Sequence, residues 1–176
     1  GTAEPGSTVS IDTDGDGTAD YTLEADVDGR WSVTPDAPLA DGTDVSVTAI
    51  DEAGNTSDPV TMTVDTVAPN APTLALANDT GTDGDGVTID GTVTVGGLEP
   101  GASWSYSTDG GATWNEGAGN GFELPAGEYA EGEVLARQTD ESGNTSDEGS
   151  LIGVTVDNTS PGGADGTDAP TLLIPE

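Results

Sequence analysis

The sequence predicts an all-β fold arranged as tandem β-sandwiches, and three observations carry that prediction. Short runs of β-branched and aromatic residues alternate apolar and polar, as in Val9/Ile11, Tyr21/Leu23, Trp31/Val33, Val45/Val47 and Met62/Val64. A period of two marks antiparallel strands with one face buried and one wet. Asp-Gly and Gly-Asn turn signals separate these runs at roughly the 8–12-residue spacing of a two-sheet sandwich. No segment holds an apolar stripe of helical period over three turns, so helix is expected to be absent.

A sandwich is preferred to a closed barrel because the sequence repeats, and each copy must then close its own core. Asp51-Glu52-Ala53-Gly54-Asn55-Thr56-Ser57-Asp58 returns 89 residues later as Asp140-Glu141-Ser142-Gly143-Asn144-Thr145-Ser146-Asp147. Val64-Asp65-Thr66 returns as Val156-Asp157-Asn158, and Glu4-Pro5-Gly6 as Glu99-Pro100-Gly101. Ala71-Pro72-Thr73-Leu74, the expected first strand after the linker, returns as Ala169-Pro170-Thr171-Leu172. The division expected is a first module over 1–66, a second over 67–160, and at 161–176 a linker with the first strand of a cropped third module. Gly1-Thr2 matches Gly91-Thr92, so the first module is expected to lack its opening strand, as if the fragment were cropped at both ends from a longer array.

In module one, strands are expected near 7–11, 19–25, 30–34, 43–50 and 60–65. In module two they are expected near 73–77, 86–95, 103–107, 112–115, 122–124, 132–139 and 151–157. Trp104 should sit on a central strand and face the opposite sheet.

Composition narrows the function. Two basic residues, Arg30 and Arg137, stand against 34 acidic ones, a formal net charge of −32. Phosphate binding needs clustered cations, so nucleic acid is not an expected partner, and neither is direct contact with an anionic membrane. No apolar run is long enough to span a bilayer as a helix. The absence of cysteine and histidine removes thiol nucleophiles, imidazole bases, disulfides and the usual zinc and copper ligands. An enzyme would have to work with carboxylates alone, as a glycosidase does with two of them in a cleft; a small sandwich offers little cleft, and the chain is read as non-catalytic. Such an acid excess repels itself unless salt or bound cations offset it. High salt and millimolar extracellular calcium both meet that need. Glycine, aspartate and threonine abundance raises disorder as an alternative, which the regular strand spacing opposes.

Three loop groups are candidate calcium ligands, since calcium takes six to eight hard oxygens from carboxylates, amides and carbonyls. The first is Asp12-Thr13-Asp14-Gly15-Asp16-Gly17-Thr18-Ala19-Asp20, whose Asp12, Asp14, Asp16 and Asp20 stand where an EF-hand loop begins. Leu23 stands where that loop needs its bidentate Glu, and an Asp-Gly hairpin tip is the plain alternative. The second joins the linker residue Asp65 to Glu99, Asp140, Glu141 and Asn144 at the facing pole of module two; turn closure by Asx hydrogen bonds is the plain alternative there. The third is Asp79, Asp83 and Asp85 in a Gly-rich loop, near Asp157 at the far pole. Trp31, Trp104, Trp114, Tyr21, Tyr106 and Tyr129 at strand periods are read as core anchors rather than a sugar-stacking platform.

Taken together, VDTVAPNAPTL at 64–74, the GNTSD turns at 54–58 and 143–147, and SYSTDGGATW at 105–114 resemble bacterial immunoglobulin-like repeats of giant secreted RTX-type adhesins. The resemblance covers nearly the whole chain and implies tandem immunoglobulin-like β-sandwiches. It also implies an extracellular location on a bacterial cell surface and a stalk role in adhesion and biofilm formation. Calcium at or near the junctions, and neighbouring modules of the same chain as partners of a monomeric protein, come with it. The glycine-rich nonapeptide of calcium β-rolls is absent, since GTDGDGVTI at 81–89 breaks that pattern, so the segment reads as stalk. A carbohydrate- or protein-binding sandwich of a secreted protein is the alternative.

Overall fold

A computed structural model of the chain describes residues 1–159; the strand expected at 169–172 lies outside them. Among the described residues there is no helix. Fourteen strands occur: β1 Thr8–Asp12, β2 Tyr21–Glu24, β3 Asp44–Ile50, β4 Val60–Thr63, β5 Thr73–Leu76, β6 Val87–Thr88, β7 Thr92–Gly96, β8 Ser103–Ser107, β9 Asn115–Glu116, β10 Gly121–Glu123, β11 Gly127–Tyr129, β12 Leu135–Thr139, β13 Gly149–Ser150 and β14 Val154–Val156. The chain divides into two compact units, Gly1–Val67 and Ala68–Glu176.

The first unit holds one antiparallel sheet in the order β2-β1-β3-β4. Its period-two sequence aims Val9, Ile11 and Val45 at a core shared with Ala25, against which Trp31, Leu39 and Tyr21 pack. The covering layer is mostly irregular. Residues 30–34, expected as a strand, contribute only a bridge between Arg30 and Thr2, with the Ala3 and Trp31 amides donating to the Gly29 and Gly1 carbonyls. Only Gly1–Ala3 run beside this segment, and Pro35 and Pro38 withhold the donors a longer ladder needs.

The second unit repeats that sheet as β9-β8-β12-β13 and adds two more, β10-β7-β5 and β11-β14-β6. Val93, Leu124, Val134, Leu151, Val154 and Val156 form its core. Trp104 is 6% exposed on β8, flanked by β12 and β9, as expected of a central strand. Its ring lies 6.2 Å from Phe122 of β10, and Tyr106 stacks on the same Phe122 at 4.1 Å. These contacts join two sheets by aromatic packing.

One expected strand is divided and another is shortened. The run 86–95 divides into β6 and β7 because the buried Thr88 hydroxyl donates towards the Asn78 and Asp90 carbonyls and accepts the Asp90 amide. The run 151–157 is a strand only at 154–156, since Leu151–Gly153 separates β13, paired to β12, from β14, which pairs antiparallel with β11 and parallel with β6. Strand β9 starts later than expected because Asp109 binds Thr113 and holds the preceding residues as a turn. β12 starts at Leu135, after a turn in which the Glu133 carboxylate accepts the Ala130 amide.

A buried amide fastens the start of the second unit. Gln138 is fully buried on β12; its Oε1 accepts the Glu99 amide at 2.8 Å, and its Nε2 donates to Asn70 O at 2.7 Å and Gly97 O at 3.0 Å. Beside it Pro72 lies so close to Gly149 that a Cβ there would stand 1.8 Å from the Pro72 carbonyl oxygen. Gln138→Ala strands one buried amide and two carbonyls, each costing roughly 1–3 kcal/mol if left unpaired. Urea titration should show the second unit losing stability while the transition of the first is unchanged.

Candidate functional site

Among the described residues, one group of three acidic side chains brings its oxygens within 4.8 Å of one another: Asp12, Asp14 and Asp20. It sits on the hairpin between β1 and β2. Asp12 organises the tip, its Oδ1 accepting the amides of Asp14 and Gly15 and its Oδ2 that of Gly17. Asp14 accepts the Asp16 amide, and Asp16 that of Thr18. Asp20 Oδ2 closes the loop on the Thr13 amide and hydroxyl, at 2.7 and 2.6 Å. Desolvation alone would raise the Asp12 pKa; the amides of Gly15, Gly17 and Asp14 outweigh it and hold the carboxyl below its ordinary value. Asp16 stands outside the group, so three of the four carboxylates singled out at this tip converge.

The other candidates are placed as follows. Asp140 forms the Asx closure weighed against metal binding: Oδ1 accepts the Asn144 amide at 2.8 Å and Oδ2 the Asn144 side-chain amide at 2.9 Å. Asp51 and Asn55 repeat the same two bonds in the first unit. At the tip of each clasp a glycine takes the left-handed conformation, Gly54 at φ +86° and Gly143 at φ +93°, where a side chain would be strained. Glu141 Oε1 lies against Gly101, so this clasp and the Glu99-Pro100-Gly101 turn adjoin, as their expected common pole requires. Asp65, on the first unit, accepts the Val67 amide, and Asp41 that of Thr66. Asp79 accepts the Gly84 amide on Oδ2, while its Oδ1 is buried without a hydrogen-bond partner. Asp85 caps Val87, and Asp157 accepts the amide and hydroxyl of Thr159. Asp79, Asp83 and Asp85 do not meet the spacing that Asp12, Asp14 and Asp20 meet.

One acidic group escaped the sequence reading. Asp109 binds the Thr113 hydroxyl at 2.6 Å, the Thr113 amide at 2.8 Å and the Ser107 hydroxyl at 2.7 Å. The Thr113 hydroxyl foremost, then its amide and Ser107, hold this carboxyl down at about 2 against an ordinary 3.8. The available signal was Ser-x-Asp-x-x-x-Thr, a carboxylate with hydroxyls on both sides in a glycine turn. All seven aromatic rings are buried or half-buried. Trp114 is half-buried with the Arg137 guanidinium 4.0 Å from its ring centroid.

The sheet order shared by the two units and the repeated Asp–Asn clasp set the frame for comparison with known proteins. Residues 1–66 match the family model of the bacterial Ig domain. No curated protein matches the chain. Of 22 matching chains of solved structure, one is a biofilm associated protein, BSP domain, 21% identical over 88% of this chain and 25% of that one, with a TM-score of 0.30. The chain thus spans about a quarter of that structure's length. The residues that match this model include the Asp12–Asp20 hairpin and the Asp51–Asn55 clasp.

The clasps fix a sign for acid stability. A carboxyl depressed in the folded state stabilises the fold at pH above its unfolded value, and that contribution is lost as pH falls through the folded value. For Asp109 the window runs from 3.8 down to about 2. Asp140 is lowered in the same direction by Asn144. Thermal melts across that range should show the second unit weakening as pH falls, with a shallower dependence in Asp109→Asn.

Proposed function

We propose that the chain is a structural extender of a bacterial surface adhesin, a non-catalytic stalk segment of RTX type that calcium stiffens. The duplication carries this reading. One chain builds the same four-stranded sheet order twice, with the same eight-residue clasp after its third strand, β3 in one unit and β12 in the other. Repetition of a small unit lengthens a rod without adding chemistry. The Ig-domain match over 1–66 and the lack of an exposed aromatic platform support the same reading over a sugar-binding one.

Calcium enters through the donor set. A carboxylate offers about four lone-pair sites, and the backbone bonds made by Asp12, Asp14 and Asp20 leave some of them to face one another. Three convergent anions without a cation repel; a divalent ion exchanges that repulsion for coordination. Asp65 of the first unit and Glu99, Asp140, Glu141 and Asn144 of the second are the residues we assign to a junction ion. Asp79, Asp83, Asp85 and Asp157 we assign to the opposite pole of the second unit. Calcium held between consecutive units would replace a flexible linker by a fixed angle and preserve reach.

Melting the protein in calcium and in chelator tests this. An ion bound only by the folded state raises stability by about 2.7 kcal/mol at a hundred times its dissociation constant. Asp12→Asn with Asp14→Asn should remove the part due to the hairpin, and Asp65→Asn with Asp140→Asn the part due to the junction. Identical melting and small-angle scattering curves in the two buffers would sink the calcium mechanism.

A further inference from the structure

The second unit contains a small cavity of its own. It measures about 240 Å³ and lies between β5, the loop from Asp79 to Gly86 and the stretch Ser150–Val154. Leu74, Leu76, Leu151 and Val154 supply apolar walls, and Ile152, 72% exposed, marks where the cavity meets solvent. Asp79 is the one charged side chain in the lining, and Ser150 the one other polar side chain.

The two oxygens of Asp79 differ. Oδ2 accepts the Gly84 amide at 2.8 Å and the Gly86 amide at 3.5 Å, whereas Oδ1 is buried and takes no hydrogen bond. An unpaired buried carboxylate oxygen is costly, and leucine walls cannot relieve it. A cation on an apolar stem meets both demands, its methylenes against the leucines and its charge on Oδ1. Because two amides already engage Oδ2, the bidentate fork that suits arginine is closed, and a single-point ammonium fits. The Ser150 hydroxyl donates to the Leu151 carbonyl at 3.2 Å, which leaves its lone pairs for a second ammonium N–H. Size agrees: pockets for drug-sized ligands run to about 300–1,000 Å³, so this one takes a single long side chain.

We propose that this cavity is a socket for a lysine side chain of a partner protein. The chain cannot supply the occupant itself. It contains no lysine, and Arg137, the only basic residue of 68–176, lies over Trp114. A second copy lacks lysine equally, so the contact joins unlike proteins. The net charge of −32 draws a basic partner in from a distance, and the Asp79 socket selects where one of its lysines seats. Asp83 and Asp85, exposed on the same loop, add to that field. Such a socket needs neither calcium nor an extender role.

Methyl NMR of the 176-residue protein, in chelator and at physiological salt, tests the socket with no calcium competing for Asp79. Nα-acetyl-lysine N-methylamide should shift the Leu74, Leu76, Ile152 and Val154 methyl signals saturably. The norleucine amide has a similar stem and no charge; it should bind about tenfold more weakly or worse, the loss of a charged hydrogen bond. The arginine amide should also bind less tightly than lysine. Asp79→Asn keeps a carbonyl oxygen for the Gly84 amide and should abolish the preference for lysine over norleucine. Glu128→Gln, which removes an exposed acid of β11 outside the cavity, should leave that preference intact. Three results overturn the proposal. One is no methyl shift with any probe, so that no socket exists. Another is lysine binding no better than norleucine or arginine, a comparison that needs no variant to fold. The third is a loss in Glu128→Gln as large as in Asp79→Asn, which means diffuse attraction to an acidic surface.

Discussion

Charge sets the terms of this structure. With 34 acidic residues and two arginines, the chain cannot neutralise its carboxylates by ion pairing. They are turned instead onto backbone amides. Asp12, Asp26, Asp51, Asp79, Asp109 and Asp140 each accept one or more main-chain N–H groups within a turn. Each such bond satisfies a donor that a loop would otherwise leave to water, and it favours the ionised acid. Turn closure in this chain is thus electrostatic and depends on pH. The strands supply the apolar burial, and these acids close the turns that follow β1, β2, β3, β5, β8 and β12.

The two units share this logic but differ in completeness. In the second, three sheets enclose the core, and a buried glutamine ties the entering segment to two turns. In the first, Ala49 occupies the place of Gln138 and an irregular layer covers the sheet. The same clasp supports both because it depends only on Asp, Gly and Asn at fixed spacing, within one turn. It makes no demand on the layer above.

What the sequence made legible follows from this division. Repeats and period-two alternation are local, and they place β1, β3, β5, β8 and β10 within a residue or two. The Asp12–Asp20 tip was legible because its acids are consecutive in one hairpin. Long-range polar roles were not. Gln138 sits between Arg137 and Thr139, and nothing local says that its side chain meets Asn70, Gly97 and Glu99. Thr88 reads as an ordinary strand residue, yet its hydroxyl divides a strand in two. The expected strand at 30–34 failed for the same reason: a strand exists only with a partner, and alternation does not report the partner's length.

The pairing of β14 with β6 bears on how the second unit meets tension. These strands run parallel, near opposite ends of the unit, and are joined by the Thr155 amide to Gly86 and the Asp157 amide to Thr88, both at 2.8 Å. A force that slid one of these two strands along the other would load both bonds at once. In the first unit, β4 has only β3 beside it in the sheet, antiparallel, and hydrogen bonds of such a pair can peel away one at a time. Among the described strands, the second unit alone holds a parallel pair.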